Sequence, residues 1–301
     1  MAAIRLIVNP SSGRGRGRAV AKQAAQLLAG HGVTHEVCYS VSPHEPTRLA
    51  RQALVDGAAA VVGIGGDGLV SQVAAELVGT RTPLGIIPAG RGNDFARGLG
   101  IPLDIPTACA TLAAGRQRRI DVGQANGRYF FSMAVMGLAA EINRRANALT
   151  RLRTNGVYTL LTLATVFRSQ PQFFSLEYEG GRRRCYSWLI AVGNTWSSGR
   201  GMALVPAARP DDGQLDACVV NGVGRLELLS VFPRVFKGRH VYHTGVETLC
   251  GRAMTIHADQ PGDIYADGER IGPLPARLET IPQALSVFVP AAPQRGQGEG
   301  C

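Results

Sequence analysis

Lysine is almost missing from this 301-residue chain: only Lys22 and Lys237 occur, so 30 of the 32 basic residues are arginines. A net charge of +10 invites an anionic partner, but a skew of this kind reflects codon bias as much as a built anion-binding face. Aromatics are 6% of the residues, and no basic run is interleaved with them, so the stacking platforms of single-strand nucleic-acid binders are not expected. Cysteine is sparse. Cys38, Cys109, Cys185, Cys218, Cys250 and Cys301 form no CxxC and no metal-ligand spacing, and read as reduced cytoplasmic thiols; Cys301 fits no CaaX signal. The six histidines supply no HExxH, against zinc chemistry. The opening MAAIRLIVNP reaches a strand-like run without the order of a signal peptide. The longest apolar-leaning stretch, Val157 to Phe167, is broken by threonines and shorter than the ~20 residues of a membrane span. These absences predict a cytoplasmic protein whose membrane contact is peripheral.

At 45% hydrophobic the chain can bury a large core, and its length suggests two domains. The first part alternates strand candidates (4–8, 36–41, 59–64, 84–87) with helix candidates (19–28, 45–55, 69–77), the pattern of a parallel sheet covered on both faces. Near Arg119 the pattern changes to strand, Asn126-Gly127, strand, a type I′ hairpin signal. Helices are expected over about 138–152 and 157–167. Beyond Pro171, FFSLEYE, CYSWLIAVG, LDACVV, AMTIHA, IYADGE and ALSVFV read as short strands of an antiparallel sandwich. The expected division is an α/β nucleotide-binding domain over 1–122, a β-sandwich over 123–291 and a disordered tail over 292–301.

Four glycine-rich elements stand out: NPSSGRGRG, GGDG, PAGRGNDFAR and GNTWSSGRG. Three follow predicted strands of one parallel sheet, where their N–H groups can converge on a polyphosphate. None is a Walker loop, since GxxxxGK[ST] is absent. Asp67, in GGDG, fits two roles: N-cap of the following helix, or ligand of a Mg²⁺ that shields it from phosphate. Asp94 poses the same question.

Together, VGIGGDGLVSQV, LGIIPAGRGNDFARGLGIP, LVPAARPDDGQLDACVV and YADGE resemble the diacylglycerol kinase and sphingosine kinase superfamily of lipid kinases, in particular its soluble bacterial members. The resemblance runs in order from Val8 to Glu269. It implies a two-domain, ATP- and Mg²⁺-dependent kinase, with the lipid substrate entering from the sandwich side, peripheral membrane contact and a homodimer as an open option. Asn9, Pro10, Ser11, Ser12 and Gly13, with Gly65, Gly66, Asp67, Gly68, Leu69, Val70 and Ser71, would bind ATP; Ser40 is a weaker match. Arg91, Asn93 and Asp94 would shape the same site. Asp67 would hold catalytic Mg²⁺, and Asp212 with the carbonyls of Arg209 and Gln214 would hold a structural one. Glu269 would be the general base. Leu69 stands where many bacterial relatives have threonine, as in sphingosine kinases, and widens the choice of lipid toward sphingoid alcohols. Arg91 either contacts nucleotide or points into solvent. An ordinary turn remains open for both Asp212 and Glu269. The rival readings are an NAD kinase, which shares GGDG, and a non-catalytic lipid binder.

Overall fold

The computed structural model describes residues 3–148 and 155–291. The chain opens with β1 (Ile4–Val8), a kinked turn α1 (Ser12–Gly15), α2 (Gly17–Gly30), β2 (His35–Tyr39), α3 (Glu45–Val55), β3 (Val61–Gly65), α4 (Asp67–Leu77), β4 (Leu84–Pro88), α5 (Asp94–Gly98) and α6 (Ile105–Ala113). Strands β2, β1, β3 and β4 pair in that order, all parallel. Every residue of β3 and β4 is buried, as expected of strands covered on both faces. Alternation divides them: Ile7 and Val61 pack with α3 and α4, whereas Leu6, Val8, Val62 and Ile64 pack with α2 and α6.

The second part comprises β5 (Gln117–Ala125), β6 (Arg128–Phe130), β7 (Met133–Gly137), α7 (Leu138–Ala148), α8 (Asn155–Arg168), β8 (Gln172–Tyr178), β9 (Gly181–Gly193), β10 (Ser197–Ser198), β11 (Met202–Ala203), β12 (Leu215–Asn221) and α9 (Arg225–Val231). Two 3-10 turns, Phe232–Lys237 and Arg239–Tyr242, follow, then β13 (Val246–Gly251), β14 (Ala253–Ala258), β15 (Asp263–Ala266), β16 (Glu269–Pro273) and β17 (Ala276–Phe288). Its strands pair antiparallel and enclose their own core. The fold is therefore the expected one, a parallel α/β part followed by an antiparallel β-sandwich-like part. The expected Asn126-Gly127 hairpin forms with two consecutive positive φ angles (47°, 80°), as type I′ turns require, and a second Asx-Gly hairpin of the same kind, Asp267-Gly268 (48°, 85°), interrupts the strand expected over IYADGE.

The expected boundary at 122/123 falls inside β5, which pairs along its length with β17. β17 in turn pairs with β14 of the sandwich and, through Val287 and Leu84, with β4 of the parallel sheet. The last strand thus crosses from one part to the other and places Leu285, Val287 and Val289 in the α/β core. Short helices α5, α6 and α9 and the 3-10 turns were not foreseen. α7 ends at Ala148; the rest of the helix expected to 152, and the tail 292–301, lie outside the described residues.

β17 shifts register between Ile281 and Leu285, and buried Asp121 holds that irregularity. Its Oδ1 accepts from the Gln283 N–H and its Oδ2 from the Gly213 N–H, each at 2.7 Å. Asp121→Ala leaves two amides without their partner at 1–3 kcal/mol apiece, so a loss of about 3 kcal/mol is expected in urea unfolding. A loss below about 0.5 kcal/mol, the size of an ordinary surface substitution, would show that the bulge stands without it.

Candidate active site

Parallel strands β1, β3 and β4 end at one edge of the sheet, and their following loops touch there. The Asn9 N–H donates to the Ile64 carbonyl and the Ala89 N–H to the Gly65 carbonyl. Gly66 and Gly90 lie face to face: a Cβ on Gly90 would sit 2.4 Å from the Gly66 Cα, so only glycine permits the approach. Within the first loop, the Asn9 Oδ1 accepts from the Ser11 N–H, and the Ser12 hydroxyl donates to the Asn9 carbonyl. Gly13 and Arg14 take left-handed conformations, with φ of 60° and 64°. Ser40 ends up beside this loop, buried, its N–H donating to the Val8 carbonyl at 2.8 Å. Asn93, in a left-handed conformation, spends its amide on Gly90, accepting from its N–H at 2.9 Å and donating to its carbonyl at 3.2 Å. Asn9 to Gly13, Gly66 to Gly68 and Arg91 to Asp94 therefore gather as expected.

Two expected roles need revision. Leu69 and Val70 are buried, and Leu69 packs back against Gly63 and Gly65, so Gly65, Leu69 and Val70 point into the α/β core and meet a ligand at most through backbone. Their amides are also engaged, since the N–H groups of Leu69 and Val70 both donate to the Gly66 carbonyl. Ser71 is half-buried in the first turn of α4. Asp67 does not cap α4; Gly66 does. Its Oδ2 accepts from the Asn93 N–H at 2.7 Å and its Oδ1 from the Phe95 N–H at 3.2 Å, so it caps the next helix, α5.

Three carboxylates converge on the edge of these loops. A Cβ on Gly92 would lie 2.8 Å from Asp67 Oδ2 and 3.0 Å from Asp94 Oδ2, which places the two acids side by side. Burial first and the charge of Asp94 second raise the Asp67 pKa, against the lowering effect of its amide partners. Asp94 reaches into the second part of the molecule, accepting from the Ser197 hydroxyl at 2.8 Å and from the N–H groups of Arg200 and Gly201 at 3.0 and 2.9 Å. The third acid, Asp267, is not among the site residues expected from the sequence. It accepts from the N–H groups of Phe131, Ser132 and Met133. Desolvation pushes its pKa up to about 6, with the charge of Asp67 adding to the shift. The signal that could have found it is its likeness to Asp67, an aspartate beside glycine where a buried strand ends.

Glu269, the expected base, is 63% exposed and faces Arg128 at 3.7 Å. It lies outside the lining of the cavity described next, because the I′ turn reverses the chain after Asp267 and sends Glu269 to the outer face of the hairpin.

From the three acids a cavity of about 650 Å³ runs into the sandwich part. Asp67, Asp94, Asp267 and Ser132 are among its lining, and its walls include Val135, Leu138, Val166, Leu189, Leu229 and Phe236. Leu69 is not part of this lining, so it carries no information about the ligand held there. Elsewhere, the Asp212 Oδ1 accepts from the Gln214 N–H at 3.0 Å, an Asx turn. Burial first, then the charges of Asp121 and Asp211, raise the Asp212 pKa. No group of three His, Cys, Asp or Glu side chains able to hold a metal occurs among the described residues; a cation at 209–214 would rest on Asp212 and carbonyl oxygens.

Gly90→Ala separates the two glycine loops while leaving their strands in place. Displacement of a binding group by about 1 Å can cost 100-fold, and at least ~10-fold weaker binding of a non-hydrolysable ATP analogue is expected by calorimetry. Unchanged affinity would remove the paired loops from the nucleotide site.

Comparison with known proteins agrees with this arrangement. Residues 3–125 match the diacylglycerol kinase catalytic domain, and residues 132–289 match the YegS C-terminal NAD kinase beta sandwich-like domain. A diacylglycerol kinase of Mycobacterium tuberculosis (strain ATCC 25618 / H37Rv) is 37% identical over 292 residues, covering 94% of each chain. A Pseudomonas aeruginosa protein named "Probable lipid kinase YegS-like" is 31% identical over 278 residues, covering 89% of this chain and 88% of its own. Among solved structures, a diacylglycerol kinase from Bacillus anthracis superposes with a TM-score of 0.77 at 21% identity, covering 97% of this chain and 98% of that one, which shows a shared fold. A glycine-loop edge, a carboxylate cluster, an apolar cavity and these matches over nearly the whole chain lead to one conclusion: the chain belongs to the diacylglycerol kinase-like family of lipid kinases and is a phosphotransferase.

Proposed function

We propose that this protein transfers the γ-phosphoryl group of ATP to a hydroxyl of a lipid whose tails occupy the cavity, with diacylglycerol, giving phosphatidic acid, as the substrate to test first. The observation that carries this reading is the continuity of an apolar cavity with a carboxylate cluster beside glycine loops. An NAD kinase would need a pocket that satisfies a polar dinucleotide, and these walls offer few partners. Since Leu69 is buried away from the cavity, nothing in the GGDGL stretch favours a sphingoid over a glycerolipid.

In the loop at 9–13 the N–H groups of Asn9, Ser11 and Ser12 are already engaged within the protein, so the backbone donors to phosphate are assigned to the loop at 66–68, and no lysine stands in either loop. Asp67 fits Mg²⁺ as a hard oxygen donor whose crowding with Asp94 a cation would relieve; when bound, Mg²⁺ neutralises charge on the transferring phosphoryl. The same test supports Asp212 as a weaker, structural site. On the acceptor side, lipid tails in the cavity would place the headgroup hydroxyl beside Asp267. This carboxylate, rather than exposed Glu269, is the group we assign to accept the alcohol proton, through either oxygen, as the new P–O bond forms. Its three backbone donors fix its orientation, and closure of the cavity around the tails excludes water from the reacting atoms.

With a pKa of about 6, Asp267 is ionised and able to accept a proton above that pH, so kcat should rise through pH 6 and level off above it. Asp267 is raised, not lowered, by folding; its contribution to stability is therefore present at low pH and lost as pH rises through its folded value. Asp267→Asn is expected to lower kcat by about 100-fold or more with little change in ATP affinity, and Glu269→Gln to leave kcat near wild type. The measurement is a pH profile of labelled-phosphate transfer to diacylglycerol for both variants. Loss of kcat in Glu269→Gln with retention in Asp267→Asn would return the base to Glu269.

A further inference from the structure

The cavity opens among large apolar side chains that have no protein cover. Leu163 of α8, and Phe232 and Phe236 of the first 3-10 turn, line the cavity and are also 38%, 42% and 52% exposed. Around them, and not part of the lining, stand Leu160 (69%), Phe167 (57%), Leu226 (78%) and Tyr242 (86%). Scattered exposed apolar residues are ordinary, but a group concentrated on one opening marks an interaction site. The two rims are joined, because the Arg225 guanidinium donates to the Ser169 carbonyl at 3.0 Å and its cation lies over the Trp188 ring.

The charge on this rim is mostly positive: in α9 the acid Glu227 faces His243 at 3.4 Å, and the cations gather in the turns that follow. The stretch FPRVFKGRHVY, residues 232–242, contains Arg234, Lys237 and Arg239 and no acid, and all three cations are exposed. In a chain with two lysines, one stands here. Apolar side chains interleaved with cations on a short amphipathic segment suit the interface of an anionic bilayer, where rings enter the acyl boundary and cations meet lipid phosphates. A soluble acidic protein would satisfy the cations but not the apolar chains that continue inward as cavity wall.

We infer that this rim, α8 together with residues 225–242, is a docking face that seats the cavity mouth directly on an anionic lipid bilayer, so that the lipid passes from bilayer to cavity without exposing its tails to water. The inference rests on the lipid-kinase reading and adds the surface, its orientation and its preference for anionic lipid. No helix of the described residues is long and apolar enough to cross a membrane, so this contact is one of lying on the surface. Each exposed cation near such a surface contributes about fivefold in binding, so neutralising two lowers it about 25-fold.

The experiment is co-sedimentation of the full chain with phosphatidylcholine vesicles, with and without phosphatidylglycerol, for wild type, Arg234→Gln/Lys237→Gln and Leu226→Ser/Tyr242→Ser. Beside it runs phosphoryl transfer to a short-chain diacylglycerol in monomeric solution and to long-chain diacylglycerol in the same vesicles. Wild type is expected to pellet with anionic vesicles and to be released by salt, and both double variants to bind at least ~10-fold more weakly. Their turnover of monomeric substrate should match wild type while turnover of vesicle substrate falls. Wild-type binding by the variants, or equal wild-type binding to vesicles lacking phosphatidylglycerol, overturns the docking face. So does a dimer in light scattering that the apolar variant dissolves with no change in vesicle binding, since the face then belongs to a second copy. Failure of wild type to phosphorylate either lipid form overturns the kinase reading instead, and the binding arm still decides the face.

Discussion

Carboxylate oxygens held by backbone amides are the bonds on which this molecule depends. Asp67 gathers the N–H groups that begin α5, Asp94 those of the 200–201 turn, Asp267 those of 131–133, and Asp121 those of Gly213 and Gln283. Each joins segments far apart in sequence, and one of the four, Asp94, connects the parallel α/β part with the sandwich. Hydrogen bonds to a charged group contribute about 1.5–3 kcal/mol, enough to fix irregular backbone that no ladder of strand or helix holds. Aspartate suits this use because its short side chain loses little rotamer freedom when it is fixed.

The same arrangement gives the site its chemistry. Backbone amides stabilise the ionised carboxylates, while burial and mutual repulsion oppose ionisation; for Asp67 and Asp267 the second influence is the stronger. Acids crowded in this way have their pKa values pushed up, a perturbation that clusters at functional sites. Structure and chemistry therefore share residues. At the other end of the cavity the walls are α8, α9 and a 3-10 turn, short elements joined by Arg225 and lined with apolar chains. A cavity built with a fixed polar floor and an apolar open mouth matches a substrate with one reactive hydroxyl and long tails, and the cations beside that mouth match the charged surface such a substrate lies in.

The crossing of β17 explains why the two parts act as one body. A strand that pairs with β14, β5 and β4 carries the hydrogen-bond ladder from the sandwich into the parallel strands, so both belong to one continuous sheet. Its register shift, where Asp121 accepts from the Gln283 N–H, lies between the residues that pair with β14 and the residue that pairs with β4.

The order of elements was legible from the residues: β-branched runs of five between glycine and helix-forming segments can only be buried parallel strands, and Asn126-Gly127 can hardly be anything but a tight hairpin. The glycine loops were legible too, because Gly66 and Gly90 have a spacing and chemistry that turns alone do not demand. What sequence could not decide was direction. Leu69 shares a motif with Asp67 yet faces the core, since two positions along a helix of 3.6 residues per turn point to opposite sides. Asp267 and Glu269 are two residues apart, but the turn between them puts one in the cavity and the other in solvent. The rim of α8 and 225–242 was invisible because its two segments are distant in sequence, as the bond from Arg225 to Ser169, 56 positions apart, shows. The sequence by itself determined the local elements and the class of chemistry, both of which rest on nearest-neighbour sterics and residue type. Only the tertiary structure decided which carboxylates meet and where the cavity opens, because those depend on distances that the chain closes by folding.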